Sequence, residues 1–115
     1  MTEIEDDAPL MTEKQFCPVI PVTTYQKIDD VVPRANDTHF GLCASIWSAQ
    51  VDSALGIARQ MEAGTIFVNS HGVTSVNRRA PYGGMKQSGI GRKASIEGLL
   101  EYMQLQTITT YGEFA

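Results

Sequence analysis

Residues 43–68, CASIWSAQVDSALGIARQMEAGTIFV, carry the clearest strand and helix signals of the chain. Residues 43–47 end in β-branched and aromatic side chains, which predicts a buried strand. Ser48 is expected to cap the following helix, and Gly64 to stop it, because glycine accepts the left-handed conformation. The predicted buried face of that helix comprises Val51, Ala54, Leu55, Ala58 and Met61. Thr65–Val68 predicts a second buried strand, so the segment has the strand–helix–strand order of a parallel sheet.

Towards the N-terminus, the pattern predicts one more strand and one more helix. Residues 1–15 are polar and acidic, and a short strand is expected at residues 19–22, after Pro18. One helix face is indicated by the spacing of Ile28, Val31, Val32 and Ala35. Pro33 lies inside this helix, where proline removes a backbone donor and crowds the preceding turn. We therefore expect a helix from near Lys27 that contains a local conflict.

Towards the C-terminus, residues 69–93 are rich in glycine and lack a sustained period, which predicts a loop. A last helix is indicated by the apolar face of Ile96, Leu99, Leu100 and Met103. Residues 105–110 alternate apolar and polar, as in a strand at a sheet edge or between subunits. The expected fold class is α/β, a small and mostly parallel sheet with flanking helices.

The composition is that of an ordinary globular protein and excludes several functional classes. Hydrophobic residues make up 43% of the 115 residues and charged residues 19%. The net charge of −4 argues against nucleic acid, because clustered lysine and arginine hold a phosphate backbone. No apolar run approaches the ~20 residues that cross a bilayer, and the acidic opening differs from a signal peptide. We expect a cytoplasmic protein that binds neither nucleic acid nor a membrane.

Local motifs give little independent sign of catalysis. Residues 89–94, GIGRKA, match the G-x-G-x-x-A pattern of a dinucleotide loop. No strand directly precedes them, however, and the chain almost ends where the acidic partner ~20 positions on is required. Turns and close packing explain these glycines better. Tyr82, beside Pro81 and two glycines, is interpreted as packing against the loop.

The cysteines and histidines also lack a recognisable arrangement. An apolar strand around Cys43 favours a core role, whereas the reactivity of Cys17 is left open. His39 and His71 are too far apart in sequence for a local metal motif, so no metal is expected.

Residues 81–92, PYGGMKQSGIGR, resemble the P-[FY]-G-G-x-K-x-S-G-x-G-R signature near the C-terminus of aldehyde dehydrogenases. Other strings follow in the family's order: QFCPVIPV, RANDTHFGLCASIWS, MEAGTIFVNSHG and EGLLEYMQLQTIT. The resemblance covers essentially the whole chain and implies one partial domain, residues 1–115. It also implies NAD(P)-dependent oxidation of an aldehyde to a carboxylic acid, with a cysteine thiolate as nucleophile and a glutamate activating water.

The resemblance places the catalytic groups outside this chain. In the family the nucleophile, the general base and the dinucleotide domain lie upstream of the matched region, and neither Cys17 nor Cys43 falls at the nucleophile's position. We therefore expect a truncated, pseudoenzyme-like chain that has no catalytic residue. It is expected to bind no cofactor alone, although NAD or NADP serves the family.

The site residues that the resemblance does imply are peripheral. Phe16 matches the phenylalanine that contacts the nicotinamide end of the cofactor. Lys14 replaces the usual glutamate, and lysine cannot accept the ribose hydroxyl hydrogen bonds. Tyr82 matches an aromatic residue of the substrate tunnel, and residues 72–79 would carry substrate preference. Residues 104–110 resemble the strand that crosses to a neighbouring subunit.

Three functions are consistent with the sequence. The first is an incomplete enzyme with no catalysis of its own. The second is an interaction module that forms a homo-oligomer or joins a full-length relative, because uncovered apolar surface favours association by ~25 cal/mol per Å². The third, a nucleotide-binding module, would use the loop of residues 84–91.

Overall fold

The described part of the protein, residues 4–112 of a computed structural model, contains short helices and strands joined by long connections. The helices are α1 (Pro9–Thr12), α2 (Ile28–Asn36), α3 (Val51–Ala58) and α4 (Ser95–Leu100), with one turn of 3-10 helix at Val73–Ser75. The strands are β1 (Phe40–Gly41), β2 (Cys43–Ile46), β3 (Thr65–Val68) and β4 (Met85–Lys86).

A parallel strand pair with one crossover helix forms the centre of the fold. Strands β2 and β3 pair in parallel, from Cys43 opposite Thr65 to Ile46 opposite Val68, and α3 connects them. The buried hydrophobic side chains of the described residues are Val32, Ala54, Ala63 and Phe67. The predicted strand–helix–strand order is confirmed. Both strands are largely half-buried rather than fully buried, and Trp47 lies beyond the end of β2, 67% exposed.

The predicted boundaries of α3 are wrong at both ends. Gln50, not Ser48, is the N-cap, and it makes no side-chain capping bond. The backbone N–H of Ser48 donates to Asn69 Oδ1 at 2.8 Å, and Asn69 Nδ2 donates to the Ser48 carbonyl at 2.9 Å. These two hydrogen bonds join the residues that follow the C-terminal ends of β2 and β3. The helix ends at Ala58, well before Gly64, so Gly64 does not stop it.

A second sheet, β1 with β4, is antiparallel. Phe40 lies opposite Lys86 and Gly41 opposite Met85. The expected mostly parallel sheet is therefore confirmed only for β2 and β3. Lys86 Nζ lies 2.8 Å from a carboxylate oxygen of Glu62 and donates to the carbonyl of Asn36 at 2.5 Å. This lysine joins the glycine-rich loop, residues 81–93, to the end of α2.

Polar contacts of α2 hold the N-terminal half against the centre. Asn36 Nδ2 donates to the Gln60 carbonyl at 2.8 Å, and Asn36 Oδ1 accepts from the Glu62 N–H at 2.9 Å. Arg34 donates two hydrogen bonds, at 2.6 and 2.7 Å, to the two carboxylate oxygens of Asp6. This bidentate contact lowers the pKa of Asp6 below its ordinary value. The pair fixes the N-terminal segment to α2.

The flanking predictions have mixed outcomes. The helix around Pro33 is confirmed as α2, with the proline inside it, and the last helix is confirmed as α4. The strands expected at residues 19–22 and 105–110 are not formed within the described chain. For residues 105–110, a strand needs a partner for its backbone groups, and the pattern of side chains does not provide one. No helix among residues 4–112 is long and apolar enough to cross a membrane.

The molecule exposes much more surface than a compact chain of its size. Its accessible area is 9831 Å², against about 6,200 Å² expected for a folded monomer of 12.6 kDa. Its radius of gyration is 19.7 Å, against about 13 Å for a compact domain of this length. The exposed large apolar side chains include Leu99 and Leu100 of α4 and Leu105 and Ile108 beyond it. Much apolar surface is thus left uncovered.

Candidate functional site

A cavity of about 510 Å³ lies between β2, β3 and the loop that follows β3. Its volume is in the range of small-molecule sites. Its wall is mainly apolar, with Leu42, Phe67, Val73 and Val76, and its polar residues are Cys43, His71, Tyr82, Arg78 and Lys93. The loop of residues 72–79, expected to carry substrate preference, supplies several of these residues.

Two side chains of β2 project from alternate positions of the strand, and hence from the same face, towards this region. Cys43 Sγ lies 3.6 Å from the hydroxyl oxygen of Tyr82. Ser45 Oγ lies 2.5 Å from His71 Nδ1, and the His71 ring packs edge-on against Phe67 with 5.9 Å between ring centroids. The serine–histidine pair was not predicted from the sequence. Only the spacing of Cys43 and Ser45 hinted that both share a face.

The serine–histidine pair does not form a catalytic triad. A triad needs a carboxylate that orients the histidine. The wall of the cavity, as lined by the described residues, contains no aspartate or glutamate. Ser45 and His71 therefore hold β2 to the loop after β3, as a structural contact.

The backbone of the glycine-rich loop positions Tyr82. Tyr82 and Lys93 exchange both of their backbone hydrogen bonds, each at 2.8 Å, as an isolated antiparallel bridge. Lys93 Nζ stands 5.3 Å from the centroid of the Tyr82 ring, within the range of cation–π attraction. Arg92 Nη1 donates to the carbonyls of Gly84 and Gly91, both at 2.8 Å. Hydrogen bonds within the loop thus fix the backbone on both sides of Tyr82.

The chemistry of Tyr82 and Cys43 follows from their contact. The hydrogen bond to Cys43 raises the pKa of the Tyr82 phenol, and partial burial adds to that effect. A reactive thiol needs a base, a cation or a helix N-terminus beside it. The hydrogen-bonding partner of Cys43 is instead a neutral phenol. The interpretation of Cys43 as a packing residue fits this geometry, although it is half-buried and borders the cavity.

The two residues matched to the family's cofactor site lie apart from Tyr82. Lys14 Nζ stands 5.3 Å from the centroid of the Phe16 ring, and Phe16 is 90% exposed. Lys14 borders a second cavity of about 450 Å³, which shares Leu42 and Cys43 with the first. The structure thus places Lys14 and Phe16 together and Tyr82 on the neighbouring cavity.

No group of histidine, cysteine and acidic residues suitable for a metal occurs among residues 4–112. Cys17 and Cys43 are both free thiols, the former exposed and the latter half-buried.

The chain belongs to the aldehyde dehydrogenase family. The family profile, described as "Aldehyde dehydrogenase family", matches residues 1–108. The chain is 39% identical over 107 residues to betaine aldehyde dehydrogenase of Brucella anthropi, covering 93% of this chain and 22% of that protein. It is 38% identical over 110 residues to mitochondrial 10-formyltetrahydrofolate dehydrogenase of Mus musculus, covering 94% of this chain and 12% of that protein.

A solved structure gives the same result for the fold. The chain superimposes on an aldehyde dehydrogenase of Mycobacterium tuberculosis complexed with NAD+ with a TM-score of 0.84 and 30% identity. The match covers 90% of this chain and 21% of that one. The chain thus spans between 12% and 22% of the length of these relatives, and the family and its fold are shown for that segment.

Proposed function

We propose that this chain forms the C-terminal part of the catalytic domain of an NAD(P)-dependent aldehyde dehydrogenase and does not oxidise aldehydes alone. It would contribute one wall of the substrate cavity, with Tyr82 as the aromatic wall residue. The observation that carries this proposal is the contact between Cys43 and Tyr82. Cys43 is the one thiol that lines this cavity in the described chain, and its partner is the phenol of Tyr82. A neutral phenol does not act as a general base at neutral pH.

The other candidate groups give no catalytic pair either. Cys17 is exposed and does not line the cavity that contains Tyr82. His71 contacts Ser45, and no carboxylate borders the cavity within residues 4–112. Thiol-dependent aldehyde oxidation requires a nucleophile activated by a base, cation or dipole, and a base that activates water. These groups would have to come from the rest of an enzyme.

The residues matched to the cofactor site fit a nicotinamide cofactor only in part. The exposed ring of Phe16 offers an aromatic face. Lys14 lies over that face and offers only donors, so it cannot accept hydrogen bonds from ribose hydroxyls. We therefore expect the isolated chain to bind neither NAD nor NADP measurably.

The direct test is an oxidation assay on the purified chain, with aliphatic and aromatic aldehydes and either NAD+ or NADP+. We expect no reduced cofactor above background, while betaine aldehyde dehydrogenase of Brucella anthropi serves as the active control. Turnover that co-purifies with the chain and disappears in Cys17→Ser or Cys43→Ser would contradict the proposal. Loss of turnover in these variants would also exclude a contaminant as its source.

A second function, association with other chains, is favoured by the exposed surface. The area in excess of a compact monomer is about 3,600 Å², well above the roughly 800 Å² that each partner buries in a standard interface. A second copy of this chain or a full-length relative would cover it. This function is compatible with the first, because a segment of a larger domain must bury the same surface.

A further inference from the structure

Two cations line the 510 Å³ cavity, and neither pairs with an acidic side chain in the described part of the chain. Arg78 reaches it from the loop of residues 72–79, and Lys93 from the end of the glycine-rich loop. Lys93 Nζ stands over the ring of Tyr82, and Arg78 forms no ion pair with any of residues 4–112. The same wall has no aspartate or glutamate within the described chain. The wall therefore has a local positive charge, although the whole chain has a net charge of −4.

Ion pairs are few among the described residues, so the two cavity cations differ from the other cations by their place beside an apolar space. In the described part of the chain, Arg34 pairs with Asp6 at 2.6 Å and Lys86 with Glu62 at 2.8 Å. Those two cations hold elements of the fold together. Within residues 4–112, Arg78 and Lys93 make no such ion pair, and both border an apolar space.

We propose that the aldehyde taken into this cavity carries a carboxylate, which Arg78 and Lys93 hold. This rests on the proposed function, because it assumes that the cavity is part of an aldehyde site. The guanidinium presents a planar fork of donors that matches the two oxygens of a carboxylate, and the ammonium adds a point charge. The aliphatic body of the substrate lies along Phe67, Val73 and Val76.

Other ligands fit the wall less well. A neutral aldehyde would gain nothing from the two cations. A free inorganic anion such as phosphate would engage the cations and leave the apolar wall uncovered. An apolar wall combined with two unpaired cations favours a ligand that has an aliphatic body and one negatively charged end.

The experiment measures binding to the purified 115-residue chain, without cofactor, of sodium hexanoate, the neutral hexanamide and inorganic phosphate. Chemical shifts of the His71 and Tyr82 rings report occupancy of the cavity. We expect hexanoate to bind at least about fivefold more tightly than hexanamide. Arg78→Gln and Lys93→Gln are each expected to weaken the binding of hexanoate by roughly two- to fivefold, which is the range expected for an exposed charge pair.

Control variants separate the cavity charge from the total charge. Arg59→Gln removes the same charge from an exposed arginine at the end of α3, outside the cavity wall, and is expected to leave hexanoate binding unchanged. Arg78→Lys keeps the charge without the fork and is expected to retain most of the affinity. Circular dichroism and unchanged hexanamide binding verify that each variant keeps its fold and cavity.

Three results would overturn the proposal: equal binding of hexanoate and hexanamide, equally tight binding of phosphate, or equal loss in Arg59→Gln and Arg78→Gln. None of them depends on turnover. Aldehyde oxidation by the isolated chain would contradict the proposed function and leave this inference intact. Binding of hexanoate that does not depend on its charge would contradict this inference and leave the proposed function intact.

Discussion

Tyr82 joins the glycine-rich loop to the first strand of the parallel pair. Its backbone pairs with Lys93, and its hydroxyl contacts Cys43. Tyr82 therefore packs against the loop, as its neighbours in the sequence predict, and also lines the cavity. The residue type indicated an aromatic position. Its partner could not be predicted, because 39 residues separate it from Cys43 and only the tertiary fold brings them together.

The phenol–thiol contact can be tested by titration. A neutral phenol donates to sulfur and an ionised one cannot, so we expect Cys43→Ala to lower the pKa of Tyr82 towards its ordinary value. Because the folded-state pKa is raised, the contact stabilises the fold fully below the ordinary tyrosine pKa and loses its effect as pH rises through the raised value. Carbon NMR of the Tyr82 ring measures the shift.

Cys43→Ser is the matched control for that titration, because a hydroxyl can still accept the hydrogen bond. Its Tyr82 pKa should stay closer to that of the unmodified chain. An unchanged pKa in Cys43→Ala would show that the contact is absent in solution.

At the scale of elements, β3 and the glycine-rich loop pass so close together that a side chain cannot fit between them. A Cβ added to Gly64, just before β3, would lie 1.7 Å from the carbonyl oxygen of Gly83. Real Cβ atoms never approach a backbone oxygen so closely, and two backbone segments would have to separate. Gly64 is thus required by packing, although its place in the sequence suggested a helix stop.

Two glycine substitutions distinguish this requirement from a general effect of alanine. Gly64→Ala is expected to destabilise the fold by at least about 1–3 kcal/mol through overpacking. Gly56→Ala, within α3 and with open space around its added Cβ, is expected to stabilise it by about 0.5–1 kcal/mol. Thermal unfolding measures both, at about 4–8 °C per kcal/mol. Equal melting temperatures for the two variants would contradict the packing explanation.

Across the whole molecule, exposed apolar surface is the dominant feature. Only a few hydrophobic side chains of the described residues are buried, while Ile108 beyond α4 is 79% exposed. Exposed apolar patches of this extent are unusual in monomers. Residues 105–110, where the sequence predicts a strand, have no partner strand within residues 4–112. A strand could form there once another chain, or the rest of a domain, supplies backbone partners.

We therefore predict that the isolated chain self-associates, as measured by light scattering during size-exclusion chromatography. Leu105→Asp together with Ile108→Asp should shift the population towards monomer, because a charge opposes burial of these two apolar side chains. Thr107→Asp together with Thr109→Asp adds the same charge at neighbouring polar positions, where no apolar side chain is removed, and should have a smaller effect. A monodisperse monomer for the unmodified chain at high concentration would count against the interaction role.

Local sequence patterns determined the elements that rest on local physics. The periodic spacing of apolar residues identified α2, α3 and α4, and the β-branched run Thr65–Val68 identified β3 with its bounds. The ordered strings around residues 81–92 identified the family, later shown by the match over residues 1–108. None of these required knowledge of which distant segments meet.

Only the tertiary structure decided the features that depend on partners. Strand β1 pairs with β4, and Gly64 lies against Gly83. Ser48 does not cap α3 but is hydrogen-bonded to Asn69. Arg78 and Lys93 line the same apolar cavity. The tertiary structure also leaves residues 105–110 without a sheet. The physical reason is the same throughout. A strand pairing, a close backbone approach and a cavity each need two segments distant in sequence, whereas a periodic pattern describes only one.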